Sequence, residues 1–374
     1  MQQTTTVRPS LTFTQRAIKG GWIGKTLLLM IAVLVVVFIG SRASASPQLF
    51  LRQIVNGIQL GFVYALIALG YTMVYGIVKL INFAHGDVFM VGAFTSFYAI
   101  SRLQLHTWPA TVLPGIAPGL ALLIGSVLVI LLSMVTCALL AVTIERVAYK
   151  PLRNAPRISA LITAIGVSFF LEYFGALQFV YTPNFITYPR PFQVVTYYIN
   201  NGIHRLEPGK APPPDSVLFS NILIIIVLAS LLLLVLLQFI VRRTKVGKAM
   251  RAVAYDKPTA RLMGINVDGV ISATFAIGAA LAGAAGILYS IAYNQIYYAM
   301  GIIPGLKAFV AAVLGGIGSI PGALVGALIM GQAEVLSAAY ISTPMRDAIA
   351  FTILILVLLI RPTGIFGEPE REKA

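Results

Sequence analysis

Residues 81–87, Ile-Asn-Phe-Ala-His-Gly-Asp, set an amide, an imidazole and a carboxylate inside an otherwise oily stretch. Asn82, His85 and Asp87 are of the types that move protons or hold metal ions, but each such task needs partners brought from elsewhere. His85, His106 and His204 are the only histidines, and no two are near in sequence. No catalytic triad and no metal-ligand spacing is legible. Two other roles suit the knot. As a helix break, Asp87 takes an N-cap or first-turn position, where a carboxylate accepts from free N–H groups at the positive dipole end. Gly86 then permits a tight turn, and Asn82 and His85 satisfy carbonyls left open by the preceding helix. As a pathway, the same groups line or gate a polar route, because polar side chains at membrane depth are costly and face cavities. Glu172, Gln332 and Glu334 are further isolated polar residues in apolar runs, readable as pathway groups or as bonds between helices.

Two other features carry no chemistry. "GGWIGKT" at 20–26 imitates a phosphate-binding loop, but three residues rather than four separate Gly20 from Gly24, and no strand precedes them. Any ATP is therefore expected to be hydrolysed by a partner. The one cysteine, Cys137, lies in an apolar run and reads as a small packing residue.

The elements that hold these residues are membrane spans. The chain is 58% hydrophobic and 10% charged, against about 25% charged in soluble domains. Apolar segments run at about 26–40, 52–78, 87–101, 116–141, 158–181, 217–241, 267–291, 304–337 (broken) and 345–360; about 20 such residues cross a bilayer. The net charge of +15 is concentrated in loops. Seven Lys/Arg lie between Arg242 and Arg261 against Asp256 alone, and four between Glu145 and Arg157. Such loops read as cytoplasmic. They lack the aromatic interleaving that stacks bases, so nucleic acid is excluded as a partner.

Helix parity agrees with that placement. The basic flank of segment 26–40 puts the N-terminus inside, whether the segment is a retained helix or a signal peptide cut near "SRASAS". Successive pairs then return both basic loops to the cytoplasm and leave 182–216, with its seven prolines, outside. A cytoplasmic C-terminal tail, 368–374, requires 304–337 to enter and return to one side. Gly315, Gly316, Gly318 and Pro321 provide the break. Irregular backbone at depth must be buried in protein or line a cavity, so this hairpin is expected at the centre of the molecule. Small residues four apart (Gly57/Gly61, Gly278/Ala282/Gly286, Gly322/Gly326) read as helix-packing contacts. The expectation is an all-α polytopic membrane protein of about 8–10 transmembrane helices, with a Gly-rich broken or re-entrant hairpin near 311–328.

Within the basic loop, 247–255 suits a short helix, Pro258 the first turn of a second, and Gly264 its stop. The pair reads either as a solvated connector or as a docking element for a cytoplasmic partner.

Here the residues carry a resemblance. "NGIQLGFVYALIALGYTMVYGIVKLINFAHGDVFMVGAF", "IERVAYKPLRNAPRISALITAIGVSFFLE", "VGKAMRAVAYDKPTARLMGIN", "KAFVAAVLGGIGSIPGALVGALIMGQAEVLSAAYIS" and "LILVLLIRPTGIFG" resemble, in order, the H-type permease of bacterial high-affinity branched-chain amino-acid ABC transporters. The resemblance covers most of 52–367 and implies a type II ABC importer-like domain over 51–367, preceded by an N-terminal extension with an extra hydrophobic helix at 1–50. It departs there and in the Pro-rich loop at 182–216. The family pattern implies a multi-pass protein of the bacterial inner membrane with both termini cytoplasmic. Its implied partners are an M-type permease, two cytoplasmic ATPase subunits holding ATP and Mg, a soluble substrate-binding protein and membrane lipid; this chain itself holds no cofactor and no metal. Carried over by position, Gly247 to Gly264 match the ATPase-coupling loop. Arg251 and Asp256 are then expected to make polar contacts there, and Ala249, Ala252 and Ala254 to form a tightly packed face. Branched-chain amino acids are the implied cargo; urea, short amides and aromatic acids are alternatives for the same machinery. A lone ion-coupled carrier is the other class, and it would need Glu172 or Glu334 paired with a base.

Overall fold

In a computed structural model of the chain, the described residues are 30, 37–153, 155–200, 202–213, 215–361 and 363–367. The "GGWIGKT" stretch, most of segment 26–40 and the tail 368–374 lie outside them; 37–45 is helical.

Twelve further α-helices follow among the described residues, with a π-helical turn at Glu145–Tyr149 and a 3₁₀ turn at Lys150–Leu152. They are α1 (Pro47–Val78), α2 (His85–Ser101), α3 (Trp108–Val112), α4 (Pro118–Ile144), α5 (Arg157–Gly175), α6 (Asn221–Arg243), α7 (Lys245–Tyr255), α8 (Lys257–Leu262), α9 (Val267–Tyr293), α10 (Ile302–Gly315), α11 (Ile320–Tyr340) and α12 (Arg346–Ile360). Among the described residues, six helical spans are long and apolar enough to cross a membrane, and the protein is a multi-pass membrane protein.

The axis of the bundle is α1, apolar on every side and buried almost without a break from Leu60 to Val74. A helix of that kind belongs in a protein interior. It packs chiefly on α11 and α9, then α10. Outward-facing Leu123, Val135 and Leu139 on α4, and Leu228, Leu232 and Val235 on α6, stay exposed, as lipid-facing residues do. Small residues set the crossings: a methyl carbon on Gly278 would lie 3.2 Å from the Gly70 oxygen, and one on Gly61 2.9 Å from Leu328 Cα. Such close approach stands in for hydrophobic exclusion between helices in lipid. Cys137 is fully buried at the α2–α4–α9 junction, its thiol donating to the Val88 carbonyl.

Contacts fix the direction of each helix and show two inverted halves. In the first, α1 runs to the end carrying the basic loops, residues 79–84 climb back into the bundle, and α2 starts there. In the second, α9 runs to the opposite end, 294–301 descend again, and α10 starts at the same depth. Each reversal begins at a left-handed non-glycine C-cap, Lys79 (φ 62°) and Asn294 (φ 56°). The full-length α4 and α11 follow, then α5 and α12. Inverted repeats with broken helices meeting inside the bundle are a recurring transporter plan.

Several boundaries differ from the sequence reading. The glycine break falls where expected, with Gly316 (φ 104°) and Gly318 (φ 100°) in the left-handed region and Pro321 in the first turn of α11. That turn, however, reaches the basic end, close to Gly76. The irregular backbone at depth is at 79–84 and 294–301 instead. Segment 217–241 begins as a strand because Val217–Ser220 pairs with Thr196–Ile199, which also pairs with Ile203–Arg205, giving a three-stranded antiparallel sheet. The 182–216 stretch is thus a small structured cap rather than a loop. Ile186–Thr187 also pairs with Gln295–Ile296, tying that cap to the α9–α10 connection.

Candidate functional site

The polar knot sits where the two halves meet. Gly86, in the first turn of α2, faces the first turn of α10: a methyl carbon on it would lie 2.5 Å from the Gly301 oxygen and 3.1 Å from Gly305 Cα. Close approach, not a tight turn, is therefore what Gly86 provides. Asn82 is buried and accepts from the Tyr149 hydroxyl at 2.6 Å, so it serves a side chain rather than a helix-end carbonyl. His85 is buried against Gly70 and the Tyr71 ring, 4.7 Å between centroids, and its imidazole bonds to the Ile67 backbone of α1. Asp87 occupies the first turn of α2, as expected. Its Oδ2 accepts from Ser168 on α5 at 2.5 Å, its carboxyl interacts with that of Glu172, and its Oδ1 is unpartnered. Asn82, His85, Gly86, Asp87 and Glu172 are thus one neighbourhood. His85 thus meets a backbone group of α1, the preceding helix that the sequence reading paired it with, while the Val78 carbonyl at the end of α1 accepts from Lys257 Nζ at 3.1 Å.

Gln332 and Glu334 belong elsewhere. Gln332 Nε2 donates to the Ile54 carbonyl at 2.8 Å and packs on Gly57, binding α11 to α1. Glu334 belongs to an ion cluster whose Lys307–Glu334 pair is buried: Lys307 Nζ lies 2.7 Å from Glu334 and 2.6 Å from Asp347, Arg346 lies 3.6 Å from Glu334, and Tyr64 donates to Glu334 at 2.8 Å. Lys307, Tyr64, Arg346 and Asp347 were missed by the sequence reading. The available signal was Lys307, a single cation in an apolar run of half-helix length. Two cations and two acids balance, which makes burial of the pair tolerable. Gly315, Gly316 and Gly318 contribute backbone only. Gly315 abuts Gly322 across the α10–α11 turn, and Gly316 abuts the 364–367 segment.

At the basic end, the two short helices of the 242–266 loop and the long helix α9 that follows each carry a side-chain cap. Thr244 Oγ1 accepts from Gly247 N at 3.1 Å, Asp256 Oδ1 from Thr259 N at 3.0 Å, and Asn266 Oδ1 from Gly269 N at 3.0 Å. Gly264 ends α8 with φ 79°. The inward face of α7 is Gly247, Met250 and Val253, all buried. Ala249, Ala252 and Ala254 are partly buried and pack against the same core beside that face. Arg251 is exposed, yet its guanidinium donates to the Val241 carbonyl of α6. Leu262 and Met263 project outward, 87% and 77% exposed. Lys257 ties this loop to α1, and burial, with Arg153 and Lys79 nearby, holds its amine below the usual lysine range. Beside it Arg153 bridges Glu145 and Asp268, Lys150 lies 3.0 Å from Asp268, and Ser272 donates to Glu145 at 2.7 Å. The result is a basic platform, clamped to α1 and α9, that exposes apolar side chains, Leu262 and Met263 among them.

A family model described as branched-chain amino acid transport system, permease component, matches residues 53–358. The chain belongs to that family. Among its relatives, the high-affinity branched-chain amino acid transport system permease protein LivH of Escherichia coli strain K12 is 43% identical over 326 residues, 87% of this chain and 97% of the relative. The corresponding BraD of Pseudomonas aeruginosa is 40% identical over 328 residues, 87% and 98% of the two chains. A shorter likeness, 35% over 102 residues and 26% of each chain, joins it to the xylose transport system permease XylH of Escherichia coli strain K12. No solved structure matches significantly. The permease family fits a mostly helical, multi-pass membrane protein of this kind.

Proposed function

We propose that this permease is the H-type pore-forming subunit of an ATP-driven importer for branched-chain or related amino acids in the bacterial inner membrane. It pairs with an M-type permease, receives cargo from a soluble binding protein outside, and rests on two ATPase subunits that hold ATP and Mg. The observation that carries this reading is identity of 43% along 97% of a relative named for branched-chain amino acid transport. In this reading the basic end is cytoplasmic, by the positive-inside rule, and so are both termini. The domain proper is 51–367, with an extension at 1–50.

Mechanically, ATPase closure pushes on the 242–266 loop. Gly247, Ala249, Ala252, Ala254 and Gly264 shape that loop, Arg251 and Asp256 brace it, and Leu262 and Met263 enter a groove on the ATPase. Lys257 passes the displacement to the end of α1. At the other end of that helix's C-terminal third lie Tyr71, His85 and the α2–α10 junction. A push there bears on the joint of the two halves, where Asn82, His85, Asp87 and Glu172 line or gate the inner route and the glycines of α10–α11 allow it to move. Most discrimination among solutes lies in the binding protein.

A second reading has one specific support: Glu334 is paired with a base, Lys307, as a lone ion-coupled carrier would require. Reconstitution separates the two. The importer reading expects leucine uptake into proteoliposomes only when the second permease, ATPases, ATP and loaded binding protein are all present. Uptake by this chain alone, driven by an ion gradient, would overturn it.

A further inference from the structure

A cleft of about 390 Å³ opens between α1, α9 and α11 at the end opposite the basic loops. Its mouth is a stripe of amides on α1, Gln53, Asn56 and Gln59, spaced to share one helix face. Its wall is aliphatic: Leu60, Val63 and Val335, with small alanines at 338 and 339 and Tyr293 at one side. Behind the wall lies the ion cluster, since Tyr64 follows Val63, Glu334 precedes Val335, and Tyr64 donates to Glu334.

Resting on the import reading, we propose that this cleft is a transit site for an aliphatic amino-acid zwitterion. Three features select that class. First, the cleft wall has no charged side chain. A ligand whose ammonium and carboxylate cancel needs only amides, which both donate and accept, whereas an ion of net charge would be left unmatched. Second, polar groups gather at the mouth and hydrocarbon lines the interior, the arrangement for a ligand polar at one end and apolar at the other. A sugar, polar all round, would leave its inner hydroxyls without partners against Leu60, Val63 and Val335. Third, the volume falls within the range of small-molecule pockets and leaves room for a branched side chain above the alanines. Next along α1 and α11, Tyr64, Glu334 and Lys307 bind the two helices and α10 together, so in this proposal solute waits in the cleft until α1 moves against α11.

The test uses the complete transporter in proteoliposomes, with leucine and alanine presented in turn by the same binding protein. Ala339→Phe fills the cleft from a position at its rim. Leucine uptake is expected to fall about tenfold and alanine uptake less than twofold, the scale a pocket gives to a few methylene groups, with ATPase activity retained. Ala338→Leu gives the same contrast should Ala339→Phe fail to assemble. Asn56→Leu combined with Gln59→Leu is expected to slow both solutes about tenfold, with solute affinity of the isolated binding protein unchanged. Unchanged rates, or equal slowing of leucine and alanine by the cleft-filling variants, would overturn the site. Absence of uptake by the unmodified complex would instead overturn the import reading on which it stands.

Discussion

Gly86 and Lys257 show what single residues contribute. A methyl group on Gly86 would press on the Gly301 carbonyl and the Gly305 backbone, neither of which is a flexible side-chain end. Gly86→Ala is therefore expected to cost about 1–3 kcal/mol, the usual range for overpacking, and a melting curve in detergent should show a clear downward shift; an unshifted curve would mean the α2–α10 junction is looser than described. Lys257 is a different case. Replacing it with Met keeps the stem but removes the donor to Val78, so leucine uptake should fall several-fold while ATPase activity and membrane insertion persist. Its amine, depressed in the folded state by burial and by Arg153 and Lys79, sheds its proton before that of the unfolded chain does. Stability from this residue thus rises with pH as the ordinary lysine value of 10.5 is approached from below, and Lys257→Met should flatten that rise.

Elements act through what they clamp together. The Lys307–Glu334–Asp347 cluster joins α10, α11 and the start of α12. Removing one partner of a buried pair leaves a bare charge, a loss of about 3–5 kcal/mol. Lys307→Met should destabilise on that scale and Glu334→Gln should recover part of it in the double variant; strictly additive losses would deny the coupling. The docking loop gives a separate expectation: Leu262→Asp and Met263→Asp, both at exposed positions, should leave folding intact while ATPase subunits no longer co-purify. The helices were legible from hydropathy because lipid imposes length and apolarity on each span. The bounds of α8 were legible because Pro258 suits a first turn and Gly264 a stop, whereas the capping roles of Thr244 and Asp256 were not read. Depth was not legible: nothing local tells that Gly316 turns at the basic end while Asn294 turns back into the bundle. The strand at Val217–Ser220 was hidden for a related reason, since an apolar run beside a span reads as part of it until its cross-strand partners are known. Gly86 was misread as a turn because its neighbour, Gly301, lies more than two hundred residues away.

Across the whole molecule, the inverted halves put one reversal of backbone on each side of a shared joint, and α1 runs past that joint from the docking loop to the far cleft. A displacement at one end of so long a helix is felt at the other, which is the geometry an importer driven from inside requires. The side of the membrane at which the 242–266 loop lies decides whether a cytoplasmic ATPase can reach it. The direct measurement is labelling of Leu262→Cys in a Cys137→Ser background with a membrane-impermeant maleimide. It should be protected in intact spheroplasts, modified in inverted vesicles, and shielded again when the ATPase subunits are bound. Modification in intact spheroplasts would put the loop outside, beyond the reach of any cytoplasmic ATPase, and would contradict the account.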